Sequence, residues 1–126
     1  MAVASQQELV ERIWERDATL WTGEDEDKWL GWLDEPKRMQ ERVEELERFA
    51  ADARSEFTTF VLLGMGGSSL APEVLKRTFG VDDLHVLDTT HPAMIRHALE
   101  FLELPKTMFV VSSKSGTTLE TLSHAD

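Results

Sequence analysis

Residues 112–118 read Ser-Ser-Lys-Ser-Gly-Thr-Thr, and they follow directly on an apolar run. Five hydroxyl side chains, those of Ser112, Ser113, Ser115, Thr117 and Thr118, are gathered around Lys114 and Gly116. Hydroxyls rotate to donate to an oxygen-rich group. Glycine lets a backbone approach an anion closely. A lysine adds local positive charge. This composition suits the grip of a phosphate better than nucleophilic or metal chemistry. A second cluster of small residues, "GMGGSS" at 64–69, closes another apolar stretch and supplies Gly66, Gly67 and Ser68. Both clusters run from a strand pattern into a helix start. There, unpaired N–H groups and the positive end of the helix dipole favour negative charge.

Each loop alone is ambiguous, because hydroxyl-rich loops often only cap helices and glycine-rich turns are common. Two such loops at neighbouring strand ends of one α/β unit carry more weight. A dinucleotide reading competes: Gly64, Gly66 and Ser69 approximate G-x-G-x-x-G, and Asp88 ends the next strand pattern as an acid holding a ribose would. Serine in the third position fits that turn less well, and the hydroxyl-rich loop is left unexplained. Neither a P-loop nor a G-x-S-x-G elbow is present.

The elements that must position these loops are legible as a change of period near residue 56. "FTTFVLLGMG", "LHVLDTT" and "TMFVVSS" read as strands. Between them, "SLAPEVLKRTFG" reads as a helix with Pro72 in its first turn and Gly80 as its stop. "HPAMIRHALEFL" reads as a second helix, with Ile95, Ala98, Leu99 and Leu102 on one face. Strand–helix alternation predicts right-handed parallel crossovers. The class expected is α/β, a doubly wound parallel sheet of three strands, occupying 57–126. Such a sheet needs helices on both faces, and little sequence follows the third strand. The unit is therefore expected to be one part of a larger domain.

Residues 1–56 are expected to form a helical segment. Ser5 and Glu8 make a capping box, with Leu9, Ile13 and Trp14 following at helical spacing. A short Trp-rich helix comes next. Asp34 and Pro36 then open a longer helix, with Met39, Val43, Leu46, Ala50 and Ala53 on one stripe. Trp14, Trp21, Trp29 and Trp32 are expected to be packing residues.

The net charge of −11 disfavours a nucleic-acid partner, although local donors rather than total charge decide phosphate binding when distant charges are screened. Its 126 residues suit one modest domain. No apolar run reaches the roughly 20 residues of a membrane span, so no membrane partner is expected. The chain has no cysteine, and His85, His91, His97 and His124 form no H-x-x-x-H pair, so no metal is expected. The reducing cytoplasm is the expected compartment.

Together, "GMGGSSLAPEVL", "LDTTHPAMI" and "VVSSKSGTTLET" closely resemble the first sugar-isomerase (SIS) domain of the glucose-6-phosphate isomerase family. The likeness is strongest to bacterial forms in which the isomerase follows a transaldolase domain. "LWTG" and "LGWLD" extend it upstream. The resemblance implies interconversion of glucose 6-phosphate and fructose 6-phosphate through ring opening and a cis-enediol, without metal or organic cofactor, in a homodimeric full-length protein. It also implies that Ser113, Lys114, Ser115 and Thr118 hold the substrate phosphate, with Gly67 and Ser68 at the substrate-facing end of the first loop. Gly66, Gly116 and Thr117 support them, and Glu120 stands near the active site. The family's catalytic base, ring-opening histidine, active-site arginine and second lysine find no matching positions here. No catalytic residue is therefore expected in this chain, which by itself should be inactive. A non-catalytic sugar-phosphate sensor is the alternative from another functional class.

Overall fold

A computed structural model of the chain describes residues 5–125. It divides into two compact units, Met1–Arg48 and Phe49–Asp126.

In the first unit, α1 spans Gln6–Trp14. Its capping box is formed: the Glu8 amide donates to Ser5 Oγ at 3.3 Å, and the Ser5 amide donates to Glu8 Oε2 at 2.6 Å. A 3₁₀ turn at Ala18–Leu20 and a longer 3₁₀ helix at Glu26–Asp34 follow. The Trp-rich segment is thus a 3₁₀ helix. With three residues per turn, Leu30 and Leu33 eclipse on one side and Trp29 and Trp32 on another. The two leucines are buried, whereas all four tryptophans are exposed, contrary to the packing role expected of them. The helix after Asp34 is also not continuous. It forms α2 (Glu35–Glu41), breaks at Arg42, and resumes as α3 (Val43–Glu56). The break rotates the expected stripe, and Val43 and Leu46 are exposed. The unit boundary falls inside α3, so that its second half belongs with the sheet.

The second unit is built on three parallel strands: β1 (Thr59–Gly64), β2 (Leu84–Leu87) and β3 (Thr107–Ser112). Their spatial order is β2-β1-β3. Central β1 pairs Phe60 with Leu84 on one side and with Met108 on the other, and its last residue, Gly64, pairs with Ser112. Between the strands run α4 (Gly67–Phe79) and α5 (Pro92–Glu100), and α6 (Leu119–Ala125) follows β3. Because β1 is central and buried on both sides, its sequence is continuously apolar rather than alternating. Val61, Leu62 and Leu63 form the core of the unit.

Alternate residues of each strand face opposite sides. On one side a cavity of about 430 Å³ is lined by Phe60, Leu62 and Met108 from the sheet, Phe49 and Ala53 from α3, and Leu75 from α4. On the other side Leu63, Phe109 and Val111 line a cavity with Ile95 of α5 and His124 of α6. The sheet is therefore wound on both faces. Gly80 ends α4 in the left-handed conformation at φ 64°, as its position predicted.

The start of α4 differs from expectation. The helix begins at Gly67, two residues before the expected start, so Pro72 sits inside it rather than in its first turn. Proline has no N–H, so the carbonyl of Ser68, four residues earlier, loses its helical donor.

Candidate functional site

In an open parallel sheet, ligands bind beyond the carboxyl ends of the strands, where the chain reverses its direction of winding. Here the chain moves from β1 outward to β2, then crosses back to β3 on the other side of β1. The crevice between the ends of β1 and β3 is thus the favoured position. Both small-residue loops leave the sheet there, because Gly64 and Ser112 are register partners.

The two loops touch. Ser112 Oγ donates to the carbonyl of Ser68 at 3.2 Å, replacing the donor that Pro72 cannot supply. A Cβ on Gly64 would stand 3.2 Å from both Ser112 O and Ser68 O. Only a residue without a side chain admits that approach without displacement. Gly66 has φ 56° and ψ −122°, a conformation that side chains avoid. It swings the chain from the strand into α4, where Ser68 and Ser69 amides turn back to Met65 O and Gly66 O at 3.1 Å each. Gly67 is exposed at the head of the helix, and the three amides that follow it, of Ser68, Ser69 and Leu70, are taken up by Met65 O and Gly66 O. Ser69 is buried, its hydroxyl donating to Gly66 O at 2.9 Å, so it tightens the turn rather than facing a ligand.

The second loop is ordered by its own hydroxyls. Ser113 Oγ accepts the Gly116 amide at 3.1 Å and lies 3.3 Å from Thr118 Oγ1. Ser115 Oγ accepts both the Thr117 amide, at 3.2 Å, and the Thr117 hydroxyl, at 3.0 Å. A hydroxyl has two acceptor lone pairs and one hydrogen. Ser115 therefore has both acceptor sites used and its O–H left to donate outward. Gly116 takes φ 69°, closing a turn that a side chain would strain. Thr118 precedes α6, Lys114 and Glu120 are exposed, and Glu120 lies in the first turn of α6. A carboxylate there suits the helix dipole.

The arrangement brings Gly66, Gly67 and Ser68 to the same end of the sheet as Ser113, Ser115, Gly116, Thr117 and Thr118. Two residues outside the expected set also matter. Ser112 ties the loops together. Thr121 is 1% exposed, with a hydroxyl that has no hydrogen-bond partner. It is the third residue of α6, and nothing in the sequence marked it for burial. Among the described residues no cluster of three or more His, Cys, Asp or Glu could hold a metal. No described helix is long and apolar enough to cross a membrane.

A doubly wound α/β unit with two small-residue loops joined at its switch point belongs to the class of open parallel-sheet α/β domains. The phosphoglucose isomerase family model matches residues 28–126. The chain belongs to the phosphoglucose isomerase family. It is 35% identical over 108 residues to glucose-6-phosphate isomerase of Carboxydothermus hydrogenoformans, covering 75% of this chain and 23% of that protein. It is 39% identical over 95 residues to the Thermus thermophilus enzyme of the same name, covering 74% of this chain and 22% of that one. The crystal structure of a hypothetical protein from Thermus thermophilus superposes with a TM-score of 0.71 at 33% identity, over 94% of this chain and 30% of that one. The chain thus spans less than a quarter of the length of these two curated relatives.

Proposed function

We propose that this chain supplies the phosphate-holding part of an aldose–ketose isomerase that interconverts glucose 6-phosphate and fructose 6-phosphate. In this reading Ser113, Lys114, Ser115 and Thr118 hold the substrate phosphate together with Gly67 and Ser68. Gly66, Gly116 and Thr117 shape the loops, and Glu120 orients a water or a sugar hydroxyl. Residues 1–56 are a helical lead-in, and 57–126 are the first part of a SIS domain. The general base that must reach the substrate carbon proton lies in the remainder of the isomerase, so the chain alone is inactive. The full-length protein works as a cytoplasmic homodimer without metal or organic cofactor, and has no nucleic-acid or membrane partner.

One observation carries this reading: the Ser112–Ser68 hydrogen bond at 3.2 Å, which joins the two loops at adjacent strand ends in a chain of this family. Neutral donors from both loops then converge on one anion. The relatives are named as glucose-6-phosphate isomerases, which supports the choice of substrate. The test is to extend the gene product through the family's full length and assay it with fructose 6-phosphate. Isomerisation that is lost on Ser115→Ala with Thr118→Ala is expected. An extended, folded protein with no isomerase activity would overturn the assignment.

A further inference from the structure

The helix that receives the chain from the hydroxyl-rich loop is short and held in an unusual way. Seven residues make a helix that is marginal in isolation, so tertiary contacts must hold it. Its leucines do little of this: Leu119 is 74% and Leu122 45% exposed. The face turned inward is instead polar. Thr121 and His124, three residues apart and hence on one side of the helix, both carry a buried side-chain atom without a partner, Oγ1 and Nδ1 respectively.

The other imidazole nitrogen is engaged. His124 Nε2 lies 3.0 Å from the carbonyl oxygen of Thr89, across 35 positions of sequence. A carbonyl only accepts, so Nε2 carries a hydrogen and donates it to Thr89 O. Thr89 is itself fixed. Its hydroxyl accepts the His91 amide at 3.1 Å, and His91 Nδ1 accepts the Ala93 amide at 3.2 Å to cap α5. Around the ring, the cavity wall is made by Leu63, Leu87, Leu99, Phe109 and Val111 from β1, β2, α5 and β3. Among the described residues, no acidic or basic side chain other than His124 lines that cavity.

We infer that His124 is a positioning residue for the hydroxyl-rich loop. Its Nε2–H fastens α6 to the loop after β2, and so fixes the direction in which residues 113–118 leave the sheet. The inference rests on the reading that this loop grips phosphate, but its physical content is separable from it. The loop is anchored at one end by β3 and at the other by α6. Without the histidine the second anchor loses its directional bond, and the internal Ser113–Gly116 and Ser113–Thr118 contacts open more often.

The test is amide hydrogen exchange on the full chain, compared among wild type, His124→Phe and His124→Gln, with and without inorganic phosphate. Glutamine is a good helix former, cannot titrate, and has an amide that can donate to Thr89 O. Phenylalanine fills the space and cannot donate. Faster exchange at Gly116 and Leu122 by roughly tenfold is expected in His124→Phe, with the amides of β1 unchanged and with restoration in His124→Gln. Equal exchange in wild type and His124→Phe, or no restoration by glutamine, would overturn the proposal. Should the phenylalanine variant fail to fold, the imidazole ¹⁵N spectrum of the wild-type chain decides: a protonated Nε2 supports the tie, and the Nδ1–H tautomer refutes it. Phosphate should protect the same amides in wild type and less in His124→Phe. If phosphate protects them in no variant, the functional reading fails while the exchange comparison still decides the role of His124.

Discussion

The hydroxyl of Ser112 donates to the carbonyl of Ser68 across 3.2 Å, and that carbonyl is the one Pro72 leaves without a helical donor. A proline inside a helix ordinarily exposes or strands a backbone acceptor. Here the vacated acceptor is used to lock the end of β3 onto the first turn of α4. The two loops proposed to hold one anion are thus coupled through a backbone group that this proline leaves without its helical donor.

That coupling is open to a double-mutant cycle. Ser112→Ala leaves a part-buried carbonyl unpaired and should cost about 1–3 kcal/mol. Pro72→Ala restores an N–H four residues after Ser68, so in its background Ser112→Ala should cost much less. Denaturant unfolding of the four proteins measures the difference. Equal costs in both backgrounds would show that Ser112 is not replacing the helical donor.

Gly64 permits the approach of the two loops. An added methyl group would meet Ser112 O and Ser68 O at 3.2 Å and Leu62 Cδ2 at 3.3 Å. Two of these neighbours are backbone and cannot turn aside. Gly64→Ala should destabilise the chain by about 1–3 kcal/mol, in the range of overpacked cores, and should weaken phosphate binding with it. Denaturation midpoints with and without phosphate check both effects.

Ser115 has both acceptor sites occupied within its own loop, leaving its hydrogen for a ligand. Ser115→Ala and Thr118→Ala should each remove one donor to a charged partner and weaken phosphate binding by roughly 1.5–3 kcal/mol. Calorimetric titration with phosphate measures the loss. Unfolding instead of weakened binding would assign these hydroxyls to capping alone.

The first unit makes an acid-sensitive contact of its own. The hydroxyl of Thr22, followed by its amide, donates to Glu26 and holds that carboxyl down from the ordinary 4.5 to about 2. A depressed carboxylate contributes stability that is present above the unfolded value and lost as pH falls through the folded one. The Glu26 contribution should therefore be complete above pH 4.5 and disappear as pH falls toward 2. An NMR titration following the Glu26 side-chain carboxyl carbon should show a midpoint well below that of the same residue in Thr22→Val. Equal midpoints would remove Thr22 as the cause.

Much of this was legible in the sequence because it depends on local chemistry. Three apolar runs bounded by glycine or polar residues became β1, β2 and β3, Gly80 stopped α4, and the Ser5–Glu8 box opened α1. Both loops fell at strand ends for the same reason. What was not legible depends on partners distant in sequence. Pro72 reads as a first-turn residue until the helix is seen to start at Gly67, and its effect surfaces only through Ser112, 44 residues from Ser68. Thr121 carries no signal of its own in the sequence, and its burial follows from α6 packing against the sheet. The break at Arg42 and the 3₁₀ winding of the Trp-rich segment follow from no single residue signal.

The central claim is that both loops close on one anion. It is tested most directly by recording amide NMR spectra of the ¹⁵N-labelled chain while fructose 6-phosphate is added. Gly66, Gly67 and Ser68 should shift together with Ser113, Ser115, Gly116 and Thr118, along curves that share one dissociation constant. Shifts confined to one loop, or two loops saturating at different concentrations, would contradict it.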